Sequence, residues 1–257
     1  MRIIGLLALS LGLLVDGMAF ASSSALHSFN NSPVQIVSFP ATYFLQPDAV
    51  DIKTVLTPPP AADSLQTKAE IMYMLHLQNL RTPAQIRRIE SEENLSPFAF
   101  SNVLGSWFNS NNLPYTTRLL YQAGNDAGVI CLVAKDYFHR ERPYVLDPHI
   151  IKSCVQLTPG PWSYPSGHTT QAMVWAIVLS DLFPEDRKAL MARAYQIGND
   201  RIMCGAHYPS DVAAGRILGQ AIAQKLLTDP AFDAALQKAR QECLAENISP
   251  DVASSTK

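Results

Sequence analysis

Charged residues make up only 16% of this 257-residue chain, yet three short segments gather cations, imidazoles and a carboxylate. The most legible contains Arg201, His207 and Asp211. His207 and Asp211 lie four residues apart, and Pro209 suits the first turn of a helix that starts between them. One helical turn then brings carboxylate and imidazole onto the same face. The carboxylate accepts a hydrogen bond from one ring nitrogen, which fixes the tautomer and leaves a lone pair on the other. A neutral imidazole held in this way is a nucleophile or a base. Standing alone, the spacing reads better as a solvated pair.

The second segment is Pro165, Ser166, Gly167 and His168, placed at another helix start. The first backbone N–H groups of a helix have no internal acceptor, and glycine lets an anion approach them closely. His168, in that first turn, is positioned to protonate a departing oxygen. An ordinary capped helix with a surface histidine explains these four residues equally well. The third segment runs from Lys135 to Arg142 and Pro143. A lysine point charge and an arginine fork together suit a phosphate group. The alternative is a set of solvated cations at a helix C-terminus, the class to which His139 and Arg140 are assigned.

Taken together, Lys135, Arg142, Arg201 and the two histidines are what phosphoryl transfer needs without a metal. Cations hold the equatorial oxygens, one imidazole attacks, and the other serves the leaving group. No compact cluster of carboxylate, His or Cys ligands competes for a metal reading, so no metal and no cofactor is expected.

Positioning these groups falls to helices. Three- and four-residue apolar spacing predicts them over 63–80, 82–94, 114–137, 166–183, 184–203, 210–228 and 231–247, while 97–107 is an apolar stretch with a Gly. In the first of these, Leu65, Ala69, Met72, Leu75 and Leu80 mark the expected buried stripe. Residues 22–60 read as an irregular arm ending in the Pro58–Pro60 triplet, itself a stiff surface spacer. No segment alternates as a strand does. The small residues Ala213, Ala214, Gly215, Gly219 and Ala223 imply close helix packing, within the core or against a partner. The expectation is an all-α fold built round a central apolar helix pair.

Residues 1–21 read as a cleaved signal peptide: Arg2, an apolar run over 3–15, and small residues at Ala19 and Ala21. No later run is long enough to span a bilayer. The expectation is an exported chain, periplasmic or secreted, with no stable membrane insertion. The net charge of −2, from 20 basic and 22 acidic residues, argues against nucleic acid as partner. Four cysteines in an exported chain favour disulfides, with three connectivities open.

The three segments resemble the signature of the PAP2 / vanadium-haloperoxidase-like superfamily, KX6RP … PSGH … SRX5HX3D. Every position matches except Asp200, where the pattern has Ser. Further stretches, Leu56–Ser64, Asn94–Ser96, Ser163–Thr169 and Arg201–Gly205, are similar to class A bacterial non-specific acid phosphatases, with Trp162 in place of their usual Gly. The resemblance implies a helical bundle of that type over 61–257, a single domain. It implies an exported, metal-independent acid phosphatase acting on small-molecule phosphomonoesters, with phosphotransfer to alcohols as a side activity. His207 would form a phosphohistidine, Asp211 would orient it, and His168 would serve as acid and then base. Lys135, Arg142, Ser166, Gly167 and Arg201 would hold phosphate. Such chemistry needs His168 protonated and His207 neutral, hence imidazoles whose pKa values differ. Vanadate should bind, and a homodimer or larger assembly is implied. A nucleotide diphosphohydrolase, a soluble lipid phosphatase, a vanadium haloperoxidase and a non-catalytic phosphate binder are the rival readings. Cys154 and Cys204 flank this site, so their pairing is the expected disulfide, which leaves Cys131 with Cys243.

Overall fold

Most helix starts carry a visible cap. Ser64 accepts from the Thr67 amide, Thr82 and Gln85 form a reciprocal capping box, and Pro83, Pro114 and Pro209 occupy first-turn positions that need no donor. In the computed structural model, which describes residues 40–146, 149, 151–155 and 162–245, the helices run as follows. They are α1 (Ile52–Val55), α2 (Leu65–Leu80), α3 (Pro83–Ser91), α4 (Ser101–Leu104), α5 (Pro114–Phe138), α6 (Pro143–Leu146), α7 (Gly167–Leu182), α8 (Arg187–Met203), α9 (Pro209–Leu227) and α10 (Pro230–Ala245). Among the described residues there is no strand, only an isolated bridge between Glu141 and Trp162. The fold is all-α, as expected. The signal peptide expected at 1–21 lies outside the described residues.

Helix α7 is the centre. Residues from Ala172 to Ala176, with Val178 and Leu179, are buried whatever their helical phase, because α5, α8 and α9 pack on different sides of it. The small residues of α9 serve this packing. A Cβ at Gly215 would stand 2.7 Å from the Ser166 carbonyl oxygen and 2.9 Å from Thr169 Cβ. The glycine therefore lets the start of α9 close directly on the start of α7.

Helix α2 corrects the sequence reading. Leu65, Met72 and Leu80 of the predicted stripe are 85%, 71% and 61% exposed, while Thr67, Glu70 and Met74 face inward. Polar partners, met below, turn this helix rather than apolar burial. The irregular arm also contributes to the core. Leu45, Val50, Ile52 and Leu56 join the main core. The buried Asp126 carboxylate of α5 accepts the backbone N–H groups of Tyr43, Phe44 and Leu45 at 2.8, 2.8 and 3.0 Å. Among the described residues no helix is long and apolar enough to cross a membrane.

Candidate active site

Four helix ends meet at one place. Lys135 lies in the last turn of α5 and Arg201 in the last turn of α8. Ser166 caps α7, whose first residues are Gly167 and His168. His207 stands one residue before the Tyr208 cap of α9, and Asp211 lies in the first turn of that helix. Arg142 stands just before α6. All eight residues singled out by the three motifs belong to this cluster.

His207 is buried and oriented from both sides. Its Nδ1 is 3.3 Å from Asp211 Oδ2 and 3.3 Å from Ser163 Oγ; its Nε2 is 3.2 Å from Arg142 Nη1. With Nδ1–H donated to the carboxylate, the Nε2 lone pair faces the guanidinium. Asp211 Oδ2 also accepts from the Tyr208 amide at 2.9 Å and from Ser163 Oγ. The turn before His207 is held by Gly205 at φ +79, a left-handed conformation that favours glycine. There the Arg201 carbonyl accepts the Ala206 and His207 amides.

The cations are placed differently from one another. Lys135 Nζ donates to the carbonyls of Trp162 and Ser163 at 2.9 and 3.0 Å. Arg142 Nη1 donates to the Ala206 carbonyl at 3.1 Å. Arg201 is buried, and among the described residues its Nε and Nη1 meet no hydrogen-bond partner. A buried guanidinium with unmet donors is costly without an anion, and a tetrahedral oxyanion fits that demand. Ser166 is fully buried; its hydroxyl accepts from Thr169 Oγ1 at 2.9 Å, and its amide donates to the Asp211 carbonyl. Asp200 binds Arg88 through two bonds of 2.9 and 2.7 Å, which accounts for an acid at that position.

The imidazoles are not separated in the way the chemistry first suggested. Burial, with Arg142, Lys135 and Arg201 nearby, holds His207 well below the usual imidazole range. His168 is pushed down to about 3, first by burial and then by Arg201, although its Nε2 lies 3.1 Å from the Glu93 carbonyl. Both rings are therefore neutral when no anion offsets the burial and the neighbouring cations. Burial also brings Lys135 down to about 8. Sulfate, whose charge is fixed over this range, is expected to bind progressively more weakly above pH 8, approaching tenfold per pH unit as the ammonium is lost. In Lys135→Arg that limb should be absent, since the guanidinium stays charged. A wild-type inhibition constant flat from pH 7 to 10 would remove Lys135 from the anion site.

Three contributors were missed by sequence reasoning. Arg140, assigned there to solvent, is buried and pairs with both Asp211 and Glu70. It follows His139, which takes a left-handed φ of 52, so the chain turns inward there instead of extending α5. Ser163 and Glu70 complete the set. No local spacing marks them, though a buried Asp211 implies some cationic partner.

All four cysteines are free thiols. Cys154 and Cys204 do meet: the Cys154 amide donates to the Cys204 carbonyl at 3.1 Å, and the two thiols share a hydrogen bond. The leftover pairing is ruled out by distance. Cys243 touches Thr116 and Cys131 touches the Pro165 carbonyl. Thr116 and Cys131 are separated by about 22 Å along α5, far beyond disulfide reach.

Residues 117–231 match the PAP2 superfamily. The chain carries a PAP2 domain. That domain holds all three motifs, from Lys135 to Asp211. The non-specific acid phosphatase of Salmonella typhi is 37% identical over 162 residues, covering 61% of this chain and 64% of that protein, just under two thirds of its length. The non-specific acid phosphatase of Providencia stuartii is 29% identical over 217 residues, 80% of this chain and 87% of that protein. Among solved structures, the first bacterial vanadium-dependent iodoperoxidase aligns with a TM-score of 0.52 at 21% identity, covering 68% of this chain and 53% of its own. That likeness is one of fold alone. Neither Glu70 nor the arm falls within the PAP2 match.

Proposed function

We propose that this chain is an exported acid phosphatase that hydrolyses small-molecule phosphomonoesters through a phosphohistidine on His207. One observation carries the reading: the lone-pair nitrogen of a buried imidazole faces the Arg142 guanidinium, beside Arg201 donors that lack a partner among the described residues. A phosphoryl group held by those cations sits within reach of Nε2. The N–P bond forms as the bond to the leaving oxygen breaks, and Asp211 stabilises the imidazolium. His168, neutral in the free site, takes a proton from the monoanionic ester on Nδ1 and passes it to the leaving oxygen as the P–O bond breaks, then takes one from the water that cleaves the N–P bond. Lys135, Arg142, Arg201 and the Gly167 amide neutralise the equatorial oxygens. With Nε2 of His168 engaged by Glu93, its Nδ1 is the working nitrogen.

The low pKa of His168 gives the acid preference a physical cause. A phosphomonoester loses its second proton near pH 6, so in acid it arrives as a monoanion and brings both a proton and a charge that offsets the cations. The same site supports vanadate binding and phosphate transfer to alcohols in place of water. Export through the leader at 1–21, a single catalytic domain over 61–257 into whose core the arm from Leu45 to Leu56 also packs, and self-association into a dimer or larger assembly belong to the same reading. In an oxidising compartment, Cys154 and Cys204 are the cysteines that join, passing two electrons and two protons to a disulfide carrier.

The test is a panel of alkyl and nitrophenyl phosphates assayed with EDTA present. The wild type should turn over both classes. His168→Ala should lose at least tenfold more kcat on alkyl phosphates than on nitrophenyl phosphate, whose leaving group needs little protonation. Equal losses would contradict the acid role, and loss of all activity in EDTA would contradict the metal-free mechanism.

A further inference from the structure

The buried charges behind His207 form a chain that reaches α2. Arg140 Nη1 donates to Asp211 Oδ1 at 2.7 Å and to Ser210 Oγ at 2.6 Å. Its Nη2 donates to Glu70 Oε2 at 2.9 Å. The guanidinium lies 3.8 Å from the centroid of the Tyr208 ring, which fixes its plane. The other Glu70 oxygen accepts the Ser210 amide at 2.8 Å. Each of these three charged side chains is buried.

This arrangement is unusual for its constituents. An arginine beside a carboxylate commonly engages both oxygens with two parallel bonds. Here the fork is divided, one nitrogen to each acid. Asp211 therefore gives Oδ1 to Arg140 and keeps Oδ2 for Tyr208, Ser163 and His207. Were Nη2 released, it could swing onto Oδ2 and take the oxygen that orients the nucleophile.

We propose that Glu70 is a positioning residue that divides the Arg140 fork, so that Asp211 keeps one oxygen free to fix the tautomer of His207. The inference rests on His207 being the nucleophile. It makes α2, outside the PAP2 match, part of the catalytic apparatus. It also explains the turn of α2: Glu70 faces inward because its partner is there, while leucines and a methionine of the predicted stripe stay in water.

Glu70→Gln keeps an acceptor for Ser210 and removes the charge that holds Nη2. Its kcat on p-nitrophenyl phosphate should fall about tenfold, with KM and the sulfate inhibition constant within twofold of wild type. Nitrogen-15 NMR of the His207 ring should show the Nδ1–H tautomer in the wild type and a mixture in the variant. Arg140→Lys has no fork to divide, so adding Glu70→Gln to it should cost less than twofold. An unchanged kcat and tautomer in Glu70→Gln would overturn the proposal, as would a lower melting temperature with normal turnover per folded molecule. Persistence of the tenfold loss in the Arg140→Lys background would do the same. Should Arg140→Lys fail to fold, Glu70→Gln alone carries the test. If the wild type hydrolyses no phosphomonoester, the enzymatic reading fails, yet the ring spectra still report whether Glu70 sets the tautomer.

Discussion

His207→Ala is expected to lower kcat by about four orders of magnitude or more and to abolish any covalent phosphoenzyme. The alanine leaves Lys135, Arg142, Arg201 and His168 in place. Affinity for sulfate should therefore stay within a few-fold of wild type or rise, because a polar ring that faces Arg142 has gone. Binding and chemistry are thus separated in one variant. The check is rapid quenching into alkali during turnover, followed by phosphorus NMR for a phosphorus–nitrogen bond. Near-wild-type turnover, or a phosphoenzyme signal that survives the substitution, would show that another group attacks.

The second large effect is on stability. His168 has a folded pKa of about 3 against 6.5 for the ordinary imidazole, and His207 is shifted in the same direction. A depressed pKa means that the unfolded chain binds the proton more tightly than the folded one. The stabilising contribution is complete above 6.5 and is lost as pH falls from there towards 3. One pKa unit corresponds to about 1.4 kcal/mol, so at pH 4.5 His168 alone removes at most about 3 kcal/mol, and His207 adds to it. For a domain of this size that is a fall of roughly 10 °C in melting temperature between pH 7 and 4.5. Phosphate or vanadate should restore much of it, since an anion in the cup makes the imidazolium tolerable. His168→Asn should be less sensitive to acid than the wild type. A melting curve that does not change between pH 7 and 4.5 without phosphate would mean that these rings are not enclosed among cations.

The legible part of this protein is local. Capping at Ser64, Thr82 and Pro209 depends on neighbours within one turn, as does the spacing of His207 and Asp211, so sequence displays both. Helix ends were therefore readable, and with them the places of Lys135, Ser166, His168 and Arg201. The rest depends on partners distant in the chain. Arg140 resembled a solvated cation until the left-handed turn at His139 carried it inward to acids 70 and 71 residues away. Glu70 lay off the apolar stripe of α2, and an acid outside such a stripe reads as surface. The neutrality of His168 escaped for a related reason: it follows from burial, with Arg201 and Arg142 nearby, and those surroundings form only once four helix ends meet. The cysteines show both sides. Cys154 and Cys204 share a turn-and-loop contact near the site, whereas Cys131 and Cys243 sit near opposite ends of a 25-residue helix.

The enclosed carboxylate of α5 bears on how the molecule assembles. Asp126 has its acceptor needs met by amides 81 to 83 residues earlier in the chain. On the ribosome, the strip bearing Tyr43, Phe44 and Leu45 emerges first and has nothing to grip until the long helix has been made. Until it docks, that helix carries an unmet charge in its apolar face and has reason to stay loose. The strip thus acts as a latch on that helix, and a chain trimmed past Leu45 would keep every catalytic group while lacking the piece that meets the buried carboxylate of the scaffold around them.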